Sequence, residues 1–142
     1  MKMEQTQNIK NLDFKESKYA TGRRKKSIAK VWLKKGTGII IVNGKNYEEY
    51  FKRVNHKSEL TKPFEIINQT TSYDVKCSVK GGGHSGQVGA MIHGISKALL
   101  QFDTTLKPTL KKEKLTTRDS RAVERKKYGH RKARRSFQFS KR

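Results

Sequence analysis

The residues from Gly81 to Gly86 have the spacing that most suggests chemistry in this chain. They spell Gly-Gly-Gly-His-Ser-Gly, which fits the Gly-x-Gly-x-x-Gly pattern of dinucleotide-binding loops. In that class of enzyme an acidic residue ends a second parallel strand, but Asp103 follows a predicted helix and leads into a segment without strand character. Gln87 and Val88 stand where a P-loop needs Lys and then Ser or Thr. These glycines are better suited to a turn, or to the approach of a phosphate backbone toward the amides at a helix N-terminus.

Other side chains that could act in catalysis have no productive spacing. Glu48 and Glu49 are adjacent on a predicted helix and point in different directions, which excludes a paired general acid and base. Cys77 is the single cysteine and alternates with apolar residues, so we interpret it as part of the core rather than as a reactive thiol. We expect no enzyme activity, metal, cofactor or small-molecule substrate. Four histidines lack zinc-ligand spacing: His56, His84, His93 and His130.

The basic residues form a stronger pattern. The formal net charge is +22 over 142 residues, as is typical of nucleic-acid-binding proteins. The segment from Arg125 to Arg142 has nine Lys or Arg residues and no Asp or Glu. Its arginines can bind phosphates bidentately and stack on bases, which favours RNA as the partner. The longest apolar run covers only residues 39–42, so we expect no membrane partner.

The composition along the chain predicts three parts. Residues 1–18 form a polar extension without the apolar stretch of a signal peptide, and their acidic residues are atypical of a transit peptide. Residues 19–115 carry the hydrophobic periodicity of one modest globular domain. Residues 116–142 have no such periodicity and form an extended basic C-terminal tail, which we call the tail.

Alternating hydrophobicity predicts the strands that must position the basic residues. A strand is expected over 27–34 and another over 39–42, and the turns at 36–38 and 43–44 favour a hairpin. The clearest strand covers 73–80. Its buried face would carry Tyr73, Val75, Cys77 and Val79, and its exposed face Asp74, Lys76, Ser78 and Lys80.

Helical periodicity is strongest after Gly86. Apolar residues from Val88 to Phe102 recur at intervals of four and three, which predicts a helix with one buried face. Gly89 and Gly94 interrupt it and favour the close approach of another backbone. Shorter helices are predicted after a cap at residue 46, over 64–68 and over 108–114.

Four separated motifs follow one another along the chain. They are YATGRRKKSIAKVWLKKGTG, VNGK with EEYF, VKGGGHSGQVGAMIHGISKAL and LTTRDSRAVERKKYGHRKARRSFQFSKR. From Tyr19 to Arg142 the chain resembles the small-ribosomal-subunit protein number nine family, the bacterial-type S-nine family, most closely its alphaproteobacterial and mitochondrial branch. The resemblance implies an α+β fold like domain two of ribosomal protein S-five. That fold has a small mixed sheet, packed helices, a left-handed βαβ crossover and an extended basic C-terminal tail.

The resemblance also implies a function and a set of contacts. It implies a structural protein in the head of the small ribosomal subunit, whose partners are small-subunit ribosomal RNA, neighbouring head proteins and peptidyl-site tRNA. The terminal Ser140, Lys141 and Arg142 would approach the tRNA. The predicted contacts with ribosomal RNA are Arg23, Arg24, Lys25, Lys26, Lys80, Gly81, Gly82, Gly83, Ser85, Gly86, Gln87, Arg118, Arg121, Arg125, Lys126, Lys127, Arg131, Lys132, Arg134 and Arg135.

Two positions depart from the family pattern, and some alternatives stay open. The family often has Arg where this chain has Ile92, and usually Pro where it has Phe137. A free-standing nucleic-acid chaperone or histone-like protein is the second functional hypothesis, and an NAD-dependent enzyme is a distant third. High Lys, Ile and Asn usage and the branch resemblance favour a ribosome in the mitochondrial matrix, with the bacterial cytoplasm as the alternative.

Overall fold

The protein is described by a computed structural model over residues 14–69 and 71–141. Most of the predicted N-terminal extension, and Arg142 at the end of the tail, lie outside the described residues. The sheet has five strands in the order β1-β2-β5-β3-β4. Neighbouring strands are antiparallel except for β3 and β5. The strands are β1 (Lys18–Arg24), β2 (Ser27–Lys35), β3 (Ile40–Val42), β4 (Lys45–Asn46) and β5 (Tyr73–Lys80).

Helices cover one face of this sheet. The long helix α3 packs across β1 and β2, and α2 packs against α3. The chain leaves β3, passes through β4, α1 and α2, and returns as β5 parallel to β3, which makes a βαβ crossover. The predicted α+β class with a small mixed sheet is confirmed. The helices are α1 (Tyr47–Tyr50), α2 (Val54–Ile66), α3 (His84–Phe102) and α4 (Lys107–Lys112), with a 3-10 turn at Thr104–Leu106 before α4.

The central strand β5 supplies much of the core. Val75, Cys77 and Val79 are buried against β2 and the helices, as their alternation predicts. Burial raises the pKa of the Cys77 thiol far above its ordinary value, because a thiolate would lose its hydration there. Cys77 is therefore a core residue, and the prediction is confirmed.

Asp74 was predicted on the exposed face of β5, and that prediction is wrong. Its side chain is buried, because the loop from β2 to β3 folds over it. Its Oδ1 accepts hydrogen bonds from the backbone N–H groups of Thr37 at 2.8 Å, Gly38 at 3.0 Å and Ile39 at 3.0 Å. The backbone amides satisfy the buried carboxylate, and the carboxylate satisfies the amides. These hydrogen bonds therefore stabilise the loop from β2 to β3.

The predicted hairpin forms in a different place. β2 and β3 are joined through residues 36–39 but are not neighbours, because β5 lies between them. The hairpin that does form joins β3 to β4 through Asn43 and Gly44. Both residues have positive φ angles, 50° and 80°, as a tight hairpin turn requires.

Three other elements differ from the sequence-based expectation. β1 was not predicted, because its inward positions are Ala20 and Gly22, which give no hydrophobic alternation. α2 begins at Val54 and contains Pro63, whereas the sequence suggested a short helix after this proline. The long helix α3 begins at His84, so residues 84–86 belong to its first turn rather than to the loop that the sequence predicted over 81–86.

β1 and α3 cross at Gly22 and Gly94. A Cβ atom added at Gly22 would overlap the carbonyl oxygen of Ala90 and the backbone nitrogen of Gly94. A Cβ atom added at Gly94 would lie 2.6 Å from Cγ2 of Val31 and 3.2 Å from the backbone nitrogen of Gly22. The prediction that Gly94 admits another backbone is confirmed. At Gly89 the neighbour is instead the side chain of Arg24.

Gly22→Ala should destabilise the fold. The added methyl group meets backbone atoms, which cannot rotate away, so we expect a loss of about 1–3 kcal/mol or more in the free energy of unfolding. Urea unfolding of the full chain measures it. Gly83→Ser is the matched control, because a Cβ atom there meets open space and serine is well accepted at the N-cap of α3. Equal losses in the two variants would show that the crossing is not tightly packed.

Candidate RNA-binding surface

Two basic or glycine-rich loops meet at one end of the sheet. The antiparallel register places Ile28 of β2 opposite Lys80 of β5, so the turn between β1 and β2 lies beside the loop that follows β5. The Ser27 hydroxyl donates a hydrogen bond to the Gly81 carbonyl oxygen at 3.0 Å, which joins the loops directly. We call residues 23–26 and 80–85 together the loop cluster. The fold thus brings together two predicted sites that are more than 50 residues apart in sequence.

The glycines of the loop cluster have distinct roles. Gly81 and Gly82 have φ angles of 74° and 61°, in the region that favours glycine. A Cβ atom at Gly81 would lie 2.6 Å from the Lys26 carbonyl oxygen, and one at Gly82 would overlap the Ser27 hydroxyl. Gly83 has open space around it. Two of these glycines are therefore required for packing, and the third leaves room for a ligand.

Most predicted RNA contacts of the loop cluster are exposed, but two residues beyond it are not. Gly86 and Gln87 are buried in the first turn of α3. Gln87 donates from Nε2 to the Gly81 carbonyl oxygen at 3.2 Å and accepts from the Tyr50 hydroxyl at 3.1 Å. They anchor the loop, and their contact with RNA stays a prediction. Arg24 is half-buried, and the exposed residues are Arg23, Lys25, Lys26, Lys80, Gly81, Gly82, Gly83 and Ser85.

The first residues of the tail lie against the loop cluster and α3. Asp119 Oδ2 is 2.9 Å from Arg121 Nη2 and 3.7 Å from Arg24 Nε. The hydrogen bond from Arg121, aided by the charge of Arg24, holds the pKa of Asp119 well below its usual range. A cleft of about 660 Å³ opens between the tail and the domain. Its basic lining includes Arg23, Arg24, Arg118 and Arg121.

His93 links β1 to the tail across this cleft, a role that its sequence position did not reveal. Its Nδ1 accepts a hydrogen bond from the backbone N–H of Arg23 at 3.2 Å, and a backbone hydrogen bond joins its ring to Thr116. Partial burial, followed by the charge of Lys97, lowers the pKa of His93 below its ordinary value of 6.5. The imidazole is therefore neutral at pH 7, which lets it accept that hydrogen bond.

Ile92 lies in the same cleft, next to His93. It is half-buried. Because the surrounding lining is rich in arginine, the family's frequent Arg at this position would add one more cation to the cleft. This chain has an apolar contact surface there instead.

The tail beyond Arg121 has no helix or strand among its described residues. Glu124 pairs with Arg134 at 3.0 Å and with Lys127 at 3.5 Å. The guanidinium carbon of Arg131 lies 5.4 Å from the ring centroid of Phe137, so the aromatic ring at the second departure from the family pattern is in cation–π range. These residues do not line the cleft. Eight predicted RNA or tRNA contacts beyond Arg121 are exposed: Arg125, Lys126, Arg131, Lys132, Arg134, Arg135, Ser140 and Lys141.

Other classes of site were also considered. Among residues 14–69 and 71–141, no three His, Cys, Asp or Glu side chains are grouped so that they could hold a metal ion. Within the same described part of the chain, no helix has the length and apolar character needed to cross a membrane.

A basic α+β domain that continues into a basic tail defines a class of proteins that bind a structured polyanion. The sequence pattern of the ribosomal protein S9/S16 family matches residues 22–142, so this chain belongs to that family. It is a ribosomal protein that takes part in translation by binding ribosomal RNA. Proteins of this family are normally structural rather than catalytic. The family predicted from the four motifs is confirmed.

Lys25→Gly should weaken RNA binding without lowering the stability of the fold. Lys25 has a φ angle of 52°, which glycine adopts with less strain, so the urea midpoint should stay unchanged or rise. RNA affinity should fall, and the slope of log affinity against log salt should become shallower by about 0.7–0.9. Lys35→Gln removes a charge at the opposite end of β2 and should leave the slope unchanged. Equal slope changes would show that the loop cluster has no special role.

The stability of the free protein should fall as the pH drops below 6.5, the ordinary pKa of histidine. Below that pH the unfolded chain binds a proton at His93, while the lowered pKa makes the folded chain resist it. Stability is therefore lost on acidification until the pH passes the folded pKa. Urea midpoints on both sides of this pH measure the effect. His93→Gln should reduce the acid-induced loss, and an equal loss in the variant would assign it to other groups.

Proposed function

We propose that this protein is a structural component of the head of the small ribosomal subunit. In this proposal it binds small-subunit ribosomal RNA with the loop cluster and the tail, and lies beside neighbouring head proteins. The observation that carries the proposal is the family match, which runs through the domain and the whole tail. The convergence of the loop cluster and residues 116–121 around one basic cleft supports it.

Electrostatics explains why such a chain needs RNA. Nine cations in the last eighteen residues repel one another, and Asp119 and Glu124 are the tail's only acidic residues. Each phosphate neutralised by Lys or Arg releases counterions, so binding gains free energy from this charge and weakens steeply with salt. The arginines add bidentate geometry, which favours fixed positions on a folded RNA. All the ribosomal RNA contacts named from the sequence remain part of this proposal.

The end of the tail contacts peptidyl-site tRNA in the same proposal. The last described helix ends at Lys112. An extended chain from residue 116 to residue 142 spans up to about 90 Å, enough to carry its terminal residues far from the domain. Ser140 and Lys141 are exposed and can therefore reach a second RNA. Arg142 adds a second cation.

The branch resemblance and the composition favour a ribosome in the mitochondrial matrix, with the bacterial cytoplasm as the alternative. Cell fractionation with an antibody against this chain separates the two hosts. Sedimentation at moderate salt tests the assembly itself, because a small-subunit protein co-sediments with small subunits. A pool near the top of the gradient would favour a free-standing nucleic-acid chaperone.

Deletion of residues 140–142 should leave the protein folded and assembled but weaken tRNA retention in the peptidyl site. Ser140 and Lys141 are exposed, so their loss should leave the core intact, whereas a charge-assisted phosphate contact contributes roughly 1.5–3 kcal/mol before screening. The measurement is the tRNA dissociation rate from subunits of equal protein content, together with the frequency of reading-frame errors.

A length-matched variant separates charge from chain length in that experiment. Lys141→Gln combined with Arg142→Gln keeps the backbone and should reproduce most of the deletion's effect. Lys132→Gln removes one charge from the middle of the tail and should leave the tRNA dissociation rate close to that of the unmodified protein. If the deletion changes neither the tRNA dissociation rate nor the frequency of reading-frame errors, the tail acts only in subunit assembly.

A further inference from the structure

The second face of the sheet carries an aromatic pair. The helices pack on the face that holds Ala29, Val31 and Leu33, while the alternate residues of β1 and β2 point the other way. On that opposite face Tyr19 stands directly across from Trp32, and their ring centroids are 5.4 Å apart. Tyr19 is 43% exposed, and Trp32 is half-buried. We call this side of β1, β2 and β5 the open face. Phe14, just before β1, borders it at one point, where its ring centroid lies 5.7 Å from Lys76 Nζ.

The aromatic pair is held in place by hydrogen bonds around Tyr19. The Tyr19 hydroxyl accepts a hydrogen bond from the Thr21 hydroxyl at 3.1 Å. The Tyr19 carbonyl oxygen accepts one from Gln101 Nε2 at 2.7 Å. A partly exposed ring fixed in this way loses little conformational entropy when another ring stacks on it.

The charge of the open face is positive. Lys76 lies opposite Trp32 on β5, and Lys30 is two residues before Trp32 on β2. Both lysines are exposed. Asp74 is the one acidic residue in β1, β2 and β5, and its side chain is buried in the loop from β2 to β3. The open face therefore complements a polyanion.

The open face is continuous with the loop cluster. Arg23 and Lys80 lie opposite Ile28 in the sheet register, so both belong to the cluster and to one end of this face. Ile28 is itself 42% exposed. From Ile28 to Trp32 the strand advances about 13 Å, a distance that a short single-stranded segment can cover. An RNA bound at the cluster can thus continue onto the open face.

We propose that the open face is a second RNA-binding surface that takes unpaired nucleotides, with bases stacked on Tyr19 and Trp32 and phosphates near Lys30 and Lys76. The proposal rests on the proposed binding of ribosomal RNA. Paired bases present only their edges, whereas unpaired bases offer faces that stack on aromatic side chains displayed by a sheet. The surface therefore selects single strands over duplexes.

Trp32 is the only tryptophan in the chain, so its fluorescence reports this contact directly. The full chain is titrated with a short mixed-sequence single-stranded RNA and with the same sequence as a perfect duplex. The single strand should quench Trp32 emission, and the duplex should bind without strong quenching. Trp32→Leu keeps apolar bulk but removes the stacking surface, so single-strand affinity should fall roughly tenfold while duplex affinity holds. Because the Trp32 variants contain no tryptophan, the fluorescence anisotropy of dye-labelled RNA measures affinity for all variants.

Trp32→Phe is the matched control because it keeps an aromatic face, and its single-strand affinity should stay near that of the unmodified chain. Circular dichroism verifies that each variant is folded, and Tyr19→Leu, at a more exposed position, replaces any variant that is not. Unchanged single-strand affinity in Trp32→Leu, while Lys25→Gly still weakens RNA binding, would overturn this inference and leave the proposed function intact. If Trp32→Leu weakens binding to a neighbouring ribosomal protein and leaves RNA affinity unchanged, the inference is also overturned. If neither Trp32→Leu nor Lys25→Gly changes RNA binding, this inference and the proposed function both lose support.

Discussion

The close crossing of β1 over α3 is the constraint on which the RNA-binding surface depends. It requires hydrogen in place of a side chain at Gly22, where backbone atoms of α3 occupy the Cβ position, and at Gly94, where the Val31 side chain and the Gly22 backbone lie too close. That contact sets Arg23 and Arg24, the next two residues, beside Gly89 and His93 of the helix. A wider crossing would separate β1 from α3 and from the start of the tail. The basic cleft would then lose one of its walls.

The same arrangement solves an electrostatic problem. Several arginines line one cleft, where like charges repel, and the carboxylates of Glu59 and Asp119 and the neutral imidazole of His93 lie among them. Asp119 lies between Arg24 and Arg121, and His93 accepts a hydrogen bond as a neutral ring. Glu124 has a similar position between Lys127 and Arg134 further along the tail. Asp119 and Glu124 thus pair with basic side chains that are predicted to contact RNA.

Sequence patterns predicted the parts of this fold in which one face is apolar. The stripe of α3 and the alternation of β5 both reflect burial on one side, so the elements and Cys77 were predicted correctly. β1 was missed because the crossing selects Ala20 and Gly22, and small residues carry no hydrophobic pattern. Asp74 was misplaced because alternation describes a strand's faces but not the loop that folds over its end.

The candidate site also has parts that the sequence predicted and parts that it could not predict. Charge and glycine content drew attention to both segments of the loop cluster, since those properties belong to short segments, and their contact with RNA stays a prediction. The cleft could not be predicted, because it depends on the pairing of β2 with β5 and on the position of the tail against α3. His93 shows the difference: its neighbours in sequence are apolar or glycine, and its partners Arg23 and Thr116 come from distant segments.

The buried Cys77 thiol can report how often the centre of the sheet opens. Cys77 is the only cysteine and is buried in the central strand, so the folded chain presents no accessible thiol for cross-linking. A thiol reagent can reach it only when the middle of the sheet opens. Its labelling rate therefore follows the opening of the domain's centre separately from motions of the tail, and it can be compared before and after the chain enters a ribosome.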